Sequence, residues 1–180
     1  MIAANFRTAT AADIPALHRL IERAYRGDSA RKGWTHEADL LGGQRTDIEA
    51  LADLLADPGQ CMIVANVGGA LVGCVQIASA GKGVAYLGHL SVDPEIQGGG
   101  LGRRLVGAAE SAAIEAFNAD AMEMTVIRQR TELIDWYCRL GYSLTNETRP
   151  FPSDNPRFGV PKIQNLDFVV LVKAHLRNDV

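Results

Sequence analysis

The residues best suited to chemistry lie in Leu90-Ser91-Val92-Asp93-Pro94-Glu95-Ile96-Gln97-Gly98-Gly99-Gly100-Leu101-Gly102-Arg103-Arg104. An apolar strand ends at Asp93-Pro94, a glycine-rich turn follows, and a helix begins near Leu101. Glycines turn the backbone tightly and remove the Cβ atoms that would shield its N–H groups. Such N–H groups at a helix N-terminus, with Arg103 and Arg104 close behind, make a cradle for a di-anionic phosphate ligand. Two familiar phosphate loops are excluded. No Lys-Ser/Thr pair closes the turn as a Walker loop requires, and a Gly-x-Gly-x-x-Gly fingerprint would need glycine at Arg103 or Leu105.

The turn that fits is Gln97-Gly98-Gly99-Gly100-Leu101-Gly102, which resembles the Arg/Gln-x-x-Gly-x-Gly/Ala pyrophosphate loop of the GNAT family of N-acetyltransferases. In that family a strand reading roughly Leu-x-Val-x-Pro precedes the loop, as Leu90, Val92 and Pro94 do here. A second block, Glu132 to Tyr142, reads as a helix ended by Gly141, with a new strand starting at Tyr142. Its Tyr137, Leu140, Gly141 and Tyr142 resemble the family's Tyr-x-x-Leu-Gly-Phe/Tyr segment, with Trp136 on the aromatic position before the tyrosine.

The resemblance implies an α/β N-acyltransferase fold over a single domain, residues 1–180. Its sheet is mixed, mostly antiparallel, of about seven strands, splayed between strands 4 and 5 and flanked by about four helices. It implies acetyl-CoA as cosubstrate, held by Gln97, Gly98, Gly99, Gly100, Leu101, Gly102 and Arg103, with pantetheine against the strand Leu90, Ser91 and Val92. It also implies that Tyr137 serves as general acid near the sulfur. A phenol titrates near 10 and a thiol near 8.5, so Tyr137 carries its proton at pH 7.

The base is less plainly written. Many relatives place a glutamate or a histidine pair on the fourth strand, which here reads Ala85-Tyr86-Leu87-Gly88-His89-Leu90. Strand alternation sets Tyr86 and Gly88 on the face of Leu90 and His89 on the other. A bulge, common there in the family, would re-aim His89 as the catalytic base; a water chain is the alternative. Arg130 stands where the family often has a cofactor-binding asparagine, leaving phosphate, acceptor or solvent as its partner.

The polar loop Arg26 to Asp39 is expected to overhang the acetyl group, with Trp34, His36 and Glu37 as candidate acceptor-binding residues. The proline-rich segment Arg149 to Gln164, with Phe151 and Phe158, suits either a second wall of that cleft or a homodimer contact.

The elements that must position these residues follow from patterning. Ile2 to Ala9 reads as a strand. Thr10 and Asp13 make a capping box for a helix to Tyr25, with Ile14, Leu17, Leu20, Ile21 and Ala24 on one face. Thr46 is expected to cap a helix through Ile48, Leu51, Leu54 and Leu55, stopped at Asp57-Pro58-Gly59. Cys61 to Val67 and Ala70 to Ala80 form a hairpin across Gly68-Gly69, and Gly81-Lys82-Gly83 turns into Val84 to Val92. Leu101, Leu105, Ala108, Ala109, Ala112 and Ala116 mark the sheet-facing side of the next helix. Met122 to Ile127 is a strand, and Tyr142 to Thr148 pairs with Leu166 to Ala174.

A net charge of −3 argues against a broad nucleic-acid surface. Cys61, Cys74 and Cys138 have no CxxC or Cys/His spacing, so no metal is expected and the thiols read as reduced. With no membrane-length apolar run, and with Met1-Ile2-Ala3-Ala4-Asn5-Phe6 lacking the basic start of a signal peptide, the expected location is the cytoplasm. Cys138 points about 100 degrees away from Tyr137 on a helix, which argues against a covalent acetyl-enzyme. The sequence therefore reads as an enzyme that moves an acetyl group directly to the primary amine of a small molecule. Three rivals remain: a protein N-terminal or lysine acetyltransferase; a non-catalytic acyl-CoA sensor, kept open by the missing strand glutamate; and a nucleotide-binding protein, which ATP competition would expose.

Overall fold

Alternation along the strands sorts the core into two layers. On β3 (Gln60–Val67), Met62 and Val64 face one side while Ile63 and Ala65 face the other. A computed structural model describes residues 3–178. Its seven-stranded sheet adds β1 (Asn5–Thr8), β4 (Ala70–Gly81), β5 (Val84–Val92), β6 (Ala121–Ile127), β7 (Ser143–Pro150) and β9 (Asp167–Ala174) in the order β1-β3-β4-β5-β6-β9-β7. A separate two-stranded ribbon joins β2 (Leu41–Gly42) to β8 (Val160–Pro161). Every neighbouring pair is antiparallel except β5 and β6, which run parallel.

One layer is α1 (Ile14–Tyr25) and α3 (Ile48–Ala56), whose Leu17, Ile21, Leu51 and Leu54 close over Met62, Val64 and Cys74. The other is α4 (Leu101–Phe117), with Leu101, Leu105, Val106, Ala109 and Ala113 against Val75, Ile77, Ala85 and Leu87. A single turn, α2 (Gly27–Ala30), follows α1, and α5 (Thr131–Arg139) follows β6.

The capping box of Thr10 and Asp13 is present, and the whole expected face of α1 is buried. Three local expectations are corrected. The N-cap of α3 is Asp47, one residue later, whose carboxylate accepts the Ala50 N–H at 2.8 Å. The buried face of α4 adds Val106 and Ala113; Ala108 and Ala112 pack against it half-buried, and Ala116 is exposed near the helix end. The first strand spans only Asn5–Thr8; Ile2 lies outside the described residues.

The feature that makes a site is the β5–β6 pairing. It holds only at Val84↔Ala121, Ala85↔Met122 and Tyr86↔Glu123; beyond these the strands part. Tyr86 Oη and Thr125 Oγ1, 2.8 Å apart, tie the base of the split. Among the described residues no helix is long and apolar enough to cross a membrane, and no cluster of His, Cys, Asp and Glu could hold a metal.

Candidate active site

Two cavities open from the split and share Tyr25, Leu90, Arg130, Leu133 and Tyr137. The first, of about 230 Å³, runs along Leu90, Ser91 and Val92 to Gln97, Gly98, Gly100, Leu101, Gly102 and Arg103, and is flanked by Trp34 and Trp136. The second, of about 380 Å³, lies beyond Tyr137.

The glycine turn is built as a cradle. Asp93 caps a short 3-10 turn, Pro94–Ile96, and the chain then passes Gly98 (φ +89°) and Gly100 (φ +79°), the N-cap of α4. A side chain at these angles is strained, and the space a Cβ would enter is empty at both positions. The N-terminal amides of the 17-residue α4 follow, with no acidic residue in its first turn. Exposed Arg103 lines the same groove. These residues fit a pyrophosphate. Arg104 turns away, 4.8 Å over the Phe6 ring and bonded to the Ala4 carbonyl.

The side chain of Gln97 is used inside the protein: Oε1 accepts the Trp34 N–H at 3.0 Å, and Nε2 donates to the Val92 carbonyl at 3.1 Å. The Leu90 carbonyl likewise accepts the Tyr25 hydroxyl at 2.8 Å. Each carbonyl keeps a second lone pair for a ligand. Trp34, half-exposed, stands 6.2 Å from Trp136, so it walls the glycine groove and does not line the second cavity.

Tyr137 is buried where the cavities meet, edge-on to Trp136 and Tyr142. Burial, then the neighbouring Tyr25, pushes its phenol far above the usual range, so it stays protonated. Cys138 is exposed on the same helix, while burial raises the Cys74 thiol to about 12.

His89 reaches the second cavity because β5 carries a bulge. Two steps on β4, Cys74 to Gln76, oppose three on β5, Gly88 to Ser91, and His89 takes φ +46°. Simple alternation fails at that residue. Its ring belongs to a hydrogen-bonded chain. Gln60 Nε2 donates to Asp57 Oδ2 at 2.8 Å, Gln76 Nε2 to Gln60 Oε1 at 2.7 Å, and Gln76 Oε1 accepts from His89 Nδ1 at 2.7 Å. A carboxylate can only accept, so the chain's polarity assigns the imidazole proton to Nδ1 and the lone pair to Nε2. Gly88 makes room: a Cβ there would lie 2.6 Å from Gln76 Oε1. Burial, aided by the Arg45 cation 3.4 Å from Nε2, lowers the His89 pKa well below 6.5.

Glu37 lines the second cavity but is fully engaged, 2.6 Å from Arg26 and 3.0 Å from Arg130. Burial would raise its carboxyl; the guanidinium groups of Arg130, Arg45 and Arg26 outweigh that and hold it below the carboxylate norm. Arg130 thus turns inward, also donating to Thr35 Oγ1 at 2.9 Å. His36 lines neither cavity. Phe151 and Phe158 wall the second cavity, one of the two roles the sequence suggested for that segment. Arg45 and Gln76 carried no signal in the sequence; Tyr25, Arg26 and Tyr86 were placed on a helix end, the overhanging loop and the Leu90 face without a role of their own.

The sequence model of the Acetyltransferase (GNAT) family matches residues 14–142. A comparison with curated proteins finds no match. Among solved structures, yncA from Salmonella typhimurium, determined with its cofactor acetyl-CoA, is 20% identical, with a TM-score of 0.69 over 96% of this chain and 94% of that one. A ribosomal-protein-alanine N-acetyltransferase from Brucella melitensis is 20% identical, TM-score 0.71, over 94% and 99%. An N-acetyltransferase from Staphylococcus aureus Mu50 is 11% identical, TM-score 0.73, over 97% and 99%. With the glycine cradle, the split sheet and the family match in register, the chain belongs to the acetyltransferase (GNAT) family, acyltransferases that use acetyl-CoA.

Proposed function

We propose that this protein is a single-domain cytoplasmic enzyme that acetylates the primary amine of a small molecule by direct transfer. The observation that carries the reading is the junction of two cavities at Tyr137 and Leu90, one beside the glycine cradle and one walled by Phe151 and Phe158. The Brucella neighbour is named for a protein substrate. Here the aromatic walls favour a small acceptor.

Acetyl-CoA, when bound, supplies a thioester whose acetyl group passes to the amine nitrogen as the C–S bond breaks. Gln97, Gly98, Gly99, Gly100, Leu101, Gly102 and Arg103 would hold its pyrophosphate, and Leu90, Ser91 and Val92 its pantetheine arm. Past Tyr86 β5 no longer pairs with β6, so its backbone near Leu90 can offer hydrogen bonds where negative charge develops. His89 Nε2, once Arg45 releases the lone pair it now donates to at 3.4 Å, takes the proton of the acceptor amine, and the Tyr137 hydroxyl supplies one to the departing sulfur. Trp34 shields the cofactor side, while Glu37 holds Arg26 and Arg130 in place.

Thiol release from acetyl-CoA across a panel of primary amines tests the reading; acetyl-CoA binding with no amine-dependent release would point to a sensor instead. Tyr137→Phe is expected to lower kcat about 100-fold with the acetyl-CoA affinity unchanged. Equal loss of both would make the tyrosine structural.

The pH profile tests His89. The neutral imidazole is the base, and its pKa lies well below 6.5. The active form is therefore complete above pH 6.5 and is lost only as pH falls through the lowered value. The acid limb of kcat/KM should sit below pH 6.5, move upward in Arg45→Gln and vanish in His89→Gln. A wild-type limb at or above 6.5 contradicts the assignment.

A further inference from the structure

The second cavity carries more positive charge than an amine acceptor explains. Its charged lining groups are Arg26, Arg45, Arg130 and Glu37, three cations against one anion, beside a neutral His89. Glu37 is taken up by Arg26 and Arg130. Arg45 has no carboxylate within 4.0 Å among the described residues; its guanidinium lies 5.1 Å over the Tyr25 ring and 3.4 Å from His89 Nε2. The backbone beneath it is pinned, since Glu22 Oε1 accepts the N–H groups of Arg45 and Thr46 at 2.7 and 2.9 Å. Arg26 and Arg130, each 7% exposed, both keep a buried Nε–H with no partner. Apart from Thr46, Tyr86, Thr125 and Asn155, the remaining walls are largely apolar, with Leu54, Met124, Phe151 and Phe168 among them.

We propose that the acceptor is an amino acid with an apolar side chain, its carboxylate bound by Arg45 in this cavity. The proposal deepens the acetyltransferase reading and rests on it. A carboxylate matches a guanidinium through two charge-assisted hydrogen bonds, strengthened away from bulk water. It also cancels the charge beside His89, so the seated acceptor raises the basicity of the group that takes its proton. A simple alkylamine or polyamine brings no anion and adds to cations already uncompensated. A peptide N-terminus has a neutral amide where the carboxylate would be.

The test is thiol release with matched pairs sharing a carbon skeleton: L-leucine against isopentylamine and L-phenylalanine against phenethylamine, with leucinamide and a leucine-initiated peptide alongside. The acids should exceed their carboxylate-free partners in kcat/KM by about 100-fold or more. Arg45→Gln should erase that preference through KM while acetyl-CoA affinity stays at the wild-type value, and Arg45→Lys should restore part of it. Carboxylate-free amines or the peptide turning over as well as the acids would overturn the proposal. If no amine is acetylated, the acetyltransferase reading fails, and titration calorimetry of L-leucine and L-phenylalanine into the CoA-saturated protein still judges the carboxylate site. Binding lost in Arg45→Gln upholds it, and absence of binding to the wild type overturns it.

Discussion

Gly100→Glu is expected to eliminate saturable acetyl-CoA binding, read by titration calorimetry, and with it all turnover. Two effects add. The N-cap of α4 holds φ +79°, which a side chain adopts at a cost of about 1–2 kcal/mol. A carboxylate also enters the open space before the helix amides, where it competes with phosphate for the same donors and repels it. Gly100→Ala separates the two, since its methyl group meets nothing within 4 Å. It should bind measurably, only more weakly. Intact binding in Gly100→Glu would mean that the cradle holds no phosphate.

Glu37→Gln should be the most destabilising change at the site, by about 3–5 kcal/mol in chemical denaturation. The carboxylate bridges Arg26, leaving α1, and Arg130, entering α5, all three side chains being under a tenth exposed. An amide leaves two guanidinium groups buried without a counter-charge. Binding and turnover should fall together, because the loop carrying Trp34 loses its anchor to α5. Wild-type stability in Glu37→Gln, with turnover lost alone, would give the residue a direct chemical role.

These two residues mark what the sequence could and could not convey. The cradle was legible because its chemistry is local: strand end, glycines and helix start lie within fifteen residues, and turn chemistry needs no tertiary context. The hairpin at Gly68-Gly69 and the buried face of α1 were legible for the same reason. The triad of Glu37, Arg26 and Arg130 joins groups 11 and 93 residues apart, and no spacing rule reports that. Glu37 and Trp34, grouped by sequence as acceptor contacts, go to an ion pair and to the cofactor groove because Gln97 draws the Trp34 backbone toward the glycine turn. His89 illustrates the limit of periodicity. Alternation sends it to the wrong side; the family resemblance allowed for a bulge there, and the pairing with β4 shows the extra residue that turns it inward. Thr46 and Asp47 are both good cap residues by type, and the one-residue shift to Asp47 is set by where the helix begins.

One ligand is expected to span from the glycine cradle, through the split between β5 and β6, to Tyr137. A crystal structure of the protein with CoA tests it most directly. The predicted result places the pyrophosphate on the amides of residues 98–102 and the pantetheine arm along Leu90 to Val92. The sulfur should then lie beside the Tyr137 hydroxyl, facing the cavity that holds His89 and Arg45. Pyrophosphate bound away from the glycine turn, or an arm that leaves the split before Tyr137, would contradict it.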